Sequence, residues 1–525
     1  MSDDGALPSA DLAADLQRAL AYHQQGDFAE AAELYDSVLA VAPDHFDALQ
    51  LRGALAHQLG QNEEAVHLLT RALVLNSNHA VAQYNCGLAL VALERPEEAL
   101  RRFNHALALR PHYVKALNNR GVVLVKLKRS AEALASYDRA LALDPGDAEI
   151  LANRSVVLAS LGRLEEAVQS ASDALALAPG SGPAFYNRAN ALGEMHRSDE
   201  ALADYARAIA LQPDYAGAHL NQALCRLITG DYSAAAWEGY EWRWRTAQQN
   251  RQLRSFAQAQ WLGEDITGKT ILLHAEQGFG DSIQFCRYAP LLAARGARVV
   301  LEVQRPLMAL MASLEGVSQL VAEGEALPAF DVHCPLLSLP RAFHTTLTTI
   351  PSQVPYLQPS PEALAHWRAR LGGESAARRI GVVWAGNRHH GNDAARSIGL
   401  GAFVPLLTQR ALWFSLQKDV RPGDDDLLKS MPGVQHLGEA LKDFDDTAAV
   451  VSLMDAVITV DTSMAHLAGA LGKDVRILLP RAGADWRWML KRSDSPWYPT
   501  AHLYRQETVG AWDDVLAQVA HDLTL

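Results

Sequence analysis

Small and apolar residues return along the first half of the chain at a fixed interval. Ala31, Ala65, Ala99, Ala133, Ala167, Ala201 and Ala235 are spaced by thirty-four residues. Gly53, Gly87 and Gly121 begin a second row at the same interval, continued by Ser155, Ala189 and Ala223. Pro43, Pro111, Pro145, Pro179 and Pro213 form a third, with Ser77 in the one slot that lacks proline. A period of this length predicts stacked helix–turn–helix units, none able to bury its apolar face alone. The small residues belong where two helices cross, and the prolines close each second helix because proline cannot continue one. The rows fade after Gly230 and end in an aromatic stretch, 237–244 (WEGYEWRW), expected to cap the last helix pair and pack it on the next domain.

Beyond a Gln/Arg-rich connection at 248–260, short apolar runs alternate with amphipathic stretches. Runs at 271–274, 299–302, 332–334, 380–384, 413–416, 456–460 and 475–479 read as buried strands, and 283–295 and 463–471 as helices. Strand–helix alternation predicts parallel sheets covered on both faces. There are strands enough for two sheets, with a Pro- and Gly-rich break at 351–373. Two doubly wound lobes would place ligands at the carboxyl ends of their strands.

The thirty-four-residue pattern resembles the tetratricopeptide repeat, with six full repeats over 11–215 and a divergent seventh. Such a solenoid offers the same positions along one concave surface. Asn85, Asn119, Asn153, Asn187 and Asn221 recur on its first helices, two residues before each crossing position. An amide donates and accepts hydrogen bonds, so a ladder of them would hold an extended peptide with little sequence preference. Local hydrogen bonding within the repeats is the competing reading of the same ladder. Arg120, Arg154 and Arg188 follow three rungs and add positive charge to the groove wall.

Composition narrows the function classes. A chain of 525 residues is too long for one core. Its net charge of −13 disfavours a nucleic-acid partner held by phosphate contacts. Four scattered cysteines, Cys86, Cys225, Cys286 and Cys334, suit a reducing compartment. The acidic start has no apolar core of the kind a secretion signal needs, and no run approaches the roughly twenty apolar residues of a membrane span. The chain reads as cytoplasmic.

Two motifs carry candidate chemistry. In 274–282 (HAEQGFGDS), glycines after a strand allow a tight turn and close ligand approach, and Asp281 opens a helix. A plain helix cap is its alternative role. In 460–470 (VDTSMAHLAGA), a strand ends and Asp461, Thr462 and Ser463 lead into a helix whose N-terminus favours a phosphate, with His466 one turn in. Ordinary capping and a packed imidazole are the alternatives. Two weaker signals are the Asp424-Asp425-Asp426 run, read as a solvated turn rather than a metal site, and His389-His390, read as touching donor or water.

The stretches VDTSMAHLAGALGK and GFGDSIQFCRYAPLL resemble the heptosyltransferase-type glycosyltransferases. That resemblance implies a GT-B fold of two doubly wound lobes and a nucleotide-diphospho-sugar donor, with no metal or other cofactor. It implies Asp281 as base and Asp461, Thr462 and Ser463 at the donor phosphates, although Ser463 stands where the family has Gly. Arg396, in Arg396-Ser397-Ile398, matches the family's basic residue after the first strand of the second lobe. Repeats joined to such lobes also resemble the O-linked N-acetylglucosamine transferases of proteins, in which the ladder grips the acceptor. In that analogy Gln417 and Lys418 fall near the donor diphosphate.

The expectation is therefore an α-solenoid followed by an α/β GT-B fold. Its divisions are a flexible start at 1–10, the solenoid at 11–245, an acceptor-side lobe at 246–372 and a donor-side lobe at 373–525. The expected function is inverting transfer of a sugar from a nucleotide sugar to a protein or peptide acceptor in the groove. The residues expected to act are Asp281 as base; Arg396, Lys418, Asp461, Thr462, Ser463 and His466 at the donor; and the five asparagines at the acceptor. A transferase acting on glycans or lipid-linked sugars, and a non-catalytic repeat scaffold, are the alternatives.

Overall fold

The computed structural model describes residues 9–246, 254–372, 376–389, 391–407 and 410–523. The expected flexible start lies almost wholly outside the described residues, as do part of the 248–260 connection, Gly373 at the end of the expected break, and His390. Contacts divide the chain into two compact units, Met1–Leu192 with Ala210–Gln212, and Gly193–Ile209 with Pro213–Leu525.

Seven helix pairs follow one another in the sequence: α1 (Ser9–Gln25) and α2 (Phe28–Val41), α3 (Phe46–Gln58) and α4 (Asn62–Leu75), α5 (Ala80–Ala92) and α6 (Pro96–Leu109), α7 (Val114–Lys126) and α8 (Ser130–Leu143), α9 (Ala148–Ser160) and α10 (Leu164–Leu177), α11 (Gly182–Glu194) and α12 (Ser198–Leu211), and α13 (Ala216–Ile228) and α14 (Ala234–Tyr240). From α2 to α12 each second helix stops two residues before its proline or serine slot. The alanines of the first row are fully buried at 31, 65, 99, 133, 167 and 201. The seventh pair is the divergent one, because α14 is cut to seven residues and continues as a 3-10 turn, Glu241–Arg245.

The crossing row works by exchange of volume. A Cβ added to Gly53 would stand 2.7 Å from Leu69, one on Gly87 2.6 Å from Phe103, and one on Gly121 2.5 Å from Tyr137. Each partner lies sixteen residues on. Where the row holds Ser155, the residue at that offset is Ala171, which is small. In the last pair both members are small, and a Cβ on Gly239 would lie 2.9 Å from Ala223. A glycine wherever its opposite number is large keeps these crossings close-packed without a clash.

The second unit carries two parallel sheets. The first contains β1 (Thr270–His274), β2 (Arg298–Val303), β3 (Val317–Ala322) and β4 (Val332–Pro335) in the order β3-β2-β1-β4. The second contains β5 (Arg379–Val383), β6 (Leu412–Ser415), β7 (Val434–His436), β8 (Ala456–Val460), β9 (Asp474–Leu479) and β10 (Ala501–Arg505) in the order β10-β9-β8-β5-β6-β7. In the first sheet the chain runs outward from β1 and returns to its other side with β4. In the second it does the same about β5 and β8. Loops leaving such a reversal diverge and open a crevice at the carboxyl ends of the strands.

All seven expected strands are present. Those the sequence pattern missed, β3, β7 and β10, lie at sheet edges. An edge strand has one neighbour and a partly wet face, so it lacks a continuous apolar run; Ser318 and Gln319 of β3 are exposed. The helix expected at 283–295 is broken into Phe279–Phe285, a 3-10 turn Cys286–Tyr288, and Ala289–Ala294, whose second residue is Pro290.

The crossing geometry makes Gly121→Ala costly, by about 1–3 kcal/mol of overpacking against Tyr137. Gly180→Ala should be close to neutral, because nothing lies within 4 Å of a Cβ there. Urea unfolding of both variants checks this. Gly121→Ser combined with Tyr137→Ala, copying the pairing of Ser155 with Ala171, should cost less than the sum of its parts.

Candidate functional site

The loop after β1 turns at Gly278 into the helix Phe279–Phe285. Asp281 is the third residue of that helix and caps its start, with one carboxylate oxygen accepting from the Gly278 N–H at 2.9 Å. Its other oxygen accepts from Nη2 of Arg487. The capping role, the alternative to catalysis, is thus present, and it occupies only half of the carboxylate. Burial raises the Asp281 pKa and the Arg487 charge opposes that rise.

Arg487 comes from the segment after β9 of the second sheet, in the 3-10 turn Trp486–Trp488. Its Nε donates to Gln284 Oε1 at 2.6 Å, and its Nη1 donates to Asp485 Oδ2 at 2.8 Å. Burial works against its charge, but Asp485 and Asp281 overcome that and hold the guanidinium protonated. The next residue, Trp488, donates its indole N–H to Asp461 Oδ1 at 2.8 Å.

Asp461 ends β8 at the reversal point of the second sheet. Its backbone carbonyl accepts from Arg396 Nη1 at 2.9 Å. Burial pushes its carboxyl up to about 6, helped by the nearby Asp485. Thr462 caps the helix Ser463–Ala470, its side chain accepting from the Met464 N–H at 3.3 Å. Arg396 ends the short helix Asp393–Arg396 after β5, and a Cβ on Gly386 would lie 2.8 Å from its Nη2, so the Gly386 backbone lies against the guanidinium. The Arg396 Nε is buried without a partner. The structure thus brings Asp281, Asp461, Thr462, Ser463 and Arg396 into one region at the strand ends of both sheets.

Two expected donor residues have other partners within the fold. His466 is buried; its Nδ1 bonds the Tyr498 hydroxyl at 3.0 Å and its ring stacks on Trp488 at 5.2 Å. A Cβ on Gly280 would lie 2.7 Å from this ring. Burial lowers its pKa to about 3, so it is a neutral packed imidazole. Lys418 is exposed, with Nζ on the Lys442 carbonyl at 3.3 Å, while Gln417 is buried and clamps the backbone of Trp384 and Ala385. In the acidic run, Asp424 is not solvated: it accepts from the Trp384 indole at 2.9 Å and the Leu400 N–H at 3.0 Å.

The asparagine ladder is partly used within the stack. Asn119 donates to the Tyr84 hydroxyl at 3.1 Å, Asn153 to Asn118 Oδ1 at 3.1 Å, and Asn187 to the Ala152 carbonyl at 3.1 Å. Each amide nitrogen therefore reaches the residue before the preceding rung, an inter-repeat tie the sequence left open as local bonding. The arginine row is likewise engaged. Arg120 donates to Asn104, Arg154 to Asp138 and Arg188 to Ser172, each sixteen residues back. Arg52 does the same with Asp36. The row ties one repeat to the previous one, so the charge expected on the groove wall is spent on neighbours.

Sequence reasoning missed Asp485, Arg487 and Trp488. A signal was present. The stretch 485–488 reads DWRW, matching EWRW at 241–244. Both fold as 3-10 turns with a buried arginine that bonds the acid two residues before it.

Residues 16–80, 84–148 and 125–182 match one tetratricopeptide-repeat family model, and 182–215 match a second. The matched stretch between 16 and 215 therefore consists of tetratricopeptide repeats. Protein FlbA of Caulobacter vibrioides is 27% identical over 307 residues, 54% of this chain and 51% of FlbA. The chain spans about half the length of this curated relative. Among solved structures, the tetratricopeptide protein YrrB, described as having an unusual peptide-binding site, is 28% identical over 37% of this chain and 100% of its own, with a TM-score of 0.33. A repeat protein from Parabacteroides merdae is 17% identical over 44% of this chain and 92% of its own, with a TM-score of 0.39. No helix of the described residues is long and apolar enough to cross a membrane.

The Asp461 carboxyl gives a pH test. Its folded pKa, about 6, lies above the usual aspartate value, so the folded state binds more protons than the unfolded one between roughly pH 4 and 6. Its contribution to stability is present at the acid end of that window and is lost as pH rises through it. Asp461→Asn keeps an acceptor for the Trp488 indole and removes the titration. Melting temperatures across the window should therefore show the variant gaining on the wild type as pH increases.

Proposed function

We propose that the chain is an inverting glycosyltransferase of the GT-B class. A nucleotide-diphospho-sugar serves as donor, and a protein or peptide bound by the repeats serves as acceptor. The supporting observation is the convergence of both strand-order reversals on one place, with Asp281 from one sheet and Arg396, Asp461 and the Ser463 helix start from the other. A sugar leaving its diphosphate develops positive charge on the ring and negative charge on the leaving group. The helix N-terminus and the Arg396 guanidinium suit the diphosphate. Asp281 suits the proton of the acceptor hydroxyl, once that carboxylate turns from Arg487 toward the acceptor. The repeats favour a protein acceptor over a glycan or lipid-linked sugar, since such solenoids bind proteins or peptides.

A second reading, a non-catalytic repeat scaffold, is favoured by one observation: both oxygens of Asp281 already have partners. Activity separates the two. Full-length protein incubated with a panel of nucleotide sugars and a cell extract should add a fixed sugar mass to a protein. Asp281→Asn should lower transfer by about 10²–10⁴-fold, the usual worth of a general base. Turnover of the variant within about threefold of wild type removes Asp281 from that role, and no transfer with any donor favours the scaffold.

Arg396→Ala should raise the donor KM far more than the acceptor KM, because the lost cation faces the diphosphate alone. A matched rise in both constants would move Arg396 out of the donor site.

Asn153→Ala with Asn187→Ala tests the ladder. Two inter-repeat ties are lost, at about 0.5–1.5 kcal/mol each, so a modest fall in melting temperature is expected. Beyond that, acceptor-protein KM should rise while slow hydrolysis of the nucleotide sugar stays unchanged. A destabilised variant with a normal acceptor KM assigns the ladder to the fold alone.

A further inference from the structure

The loop 275–281 carries two carboxylates into a junction that is nearly dry. Glu276 is 2% exposed at its side chain, and burial pushes its carboxyl up to about 7 against the opposing Arg243 charge. Asp281 is 18% exposed. Each is met by an arginine from a turn with the same sequence pattern, acid–Trp–Arg–Trp. Arg243 of the Glu241–Arg245 turn donates Nη2 to both Glu276 oxygens, at 3.0 and 3.1 Å, and to Ser338 Oγ at 2.7 Å. Its Nη1 bonds Glu241 at 2.7 Å. Arg487 repeats the arrangement from the other side, with Asp485 in place of Glu241 and Asp281 in place of Glu276.

The turns are themselves fixed. Arg243 lies over the rings of Tyr240 and Trp244, at 4.7 and 4.8 Å, and Arg487 over Phe285 and Trp486, at 5.3 and 4.7 Å. Trp486 packs among Tyr232, Trp237 and Tyr240 of the last repeat. The Leu490 N–H donates to the Ile228 carbonyl at 2.9 Å. The segment leaving the second turn holds Met489 at φ 57° and Lys491 at φ 58°. Non-glycine residues hold such angles only where surroundings over-determine them.

We propose that the two acid–Trp–Arg–Trp turns are a pair of clamps that set the 275–281 loop, and that Arg243 and Arg487 are positioning residues acting through Glu276 and Asp281. The proposal takes from the transferase reading only the role of Asp281, and the clamp is testable without it. On this proposal Arg243 takes no part in donor or acceptor binding. It acts five residues away from Asp281, by holding the base of the loop. A lone buried carboxylate is costly, so removing either arginine must release the loop or neutralise its partner. The last repeat, which cages Trp486, thereby belongs to the architecture of the site as well as to the solenoid.

The test is amide hydrogen exchange on the full-length chain, read on peptides covering 275–285. Arg243→Met and Arg487→Met should each speed exchange there by at least about tenfold while β1 and β8 keep their protection. Arg243→Met with Glu276→Gln removes the stranded charge and should return the loop to within about threefold of wild type. Wild-type exchange in both single variants overturns the proposal, and so does a double variant as loose as Arg243→Met. Should a methionine variant fail to fold, Arg243→Lys and Arg487→Lys keep charge but lose the fork. Faster loop exchange in both then supports the clamps, and wild-type exchange in both overturns them. Where transfer is measurable, Arg243→Lys should lower kcat and leave the donor KM unchanged; the reverse pattern contradicts a positioning role. A wild-type chain that transfers no sugar refutes the transferase reading and leaves the exchange arms decisive for the clamp.

Discussion

Ionised groups cannot be taken out of water singly, and the junction of the two sheets is organised around that constraint. Asp281, Glu276, Asp485 and Glu241 meet Arg243 and Arg487 where the loop after β1 lies against the last repeat and the segment after β9. A pair in low dielectric repays its desolvation only with good geometry and further hydrogen bonds. Both arginines have these, through Ser338 and Gln284. The same bonds aim the loop. Charge and hydrogen-bond geometry together thus hold the loop against its partners.

In the first unit a different rule does the same work. At Gly53, Gly87 and Gly121 the helix crossing holds a glycine against a large side chain, Leu69, Phe103 and Tyr137, while Ser155 meets the small Ala171. A glycine is required only where the residue sixteen positions on is large. The asparagine and arginine rows then tie successive repeats laterally, through bonds that run back thirty-five and sixteen residues. Polar residues that look like an open binding surface in the sequence are partly committed to holding the stack.

The solenoid was legible because its signal is repeated: a period returns whether or not any one slot departs from it, as Ser77 does. The buried strands were legible because central parallel strands are apolar throughout, as the wholly buried β8 shows. Edge strands β3, β7 and β10 were not, since one wet face breaks the run. Asp281, Arg396, Asp461, Thr462 and Ser463 fall together as their motifs implied. The sequence left His466 open between ligand contact and a packed imidazole, because a histidine one turn into a helix can face either the helix end or the core. Here Tyr498, Trp488 and Gly280 enclose it. Arg487 was invisible for a physical reason: its partner Asp281 lies 206 residues away, and no local pattern encodes such a contact. Only the echo of EWRW in DWRW hinted at it.

If the two strand-order reversals form one donor site with Asp281 opposite, a nucleoside diphosphate must find it. A crystal structure of the full-length chain with that ligand is the decisive experiment. The diphosphate is expected at the start of the Ser463–Ala470 helix, within hydrogen-bond reach of Arg396, with the Asp281 carboxylate facing the terminal phosphate. A diphosphate bound away from both Arg396 and that helix start, or no bound nucleotide at millimolar concentration, would contradict the donor site.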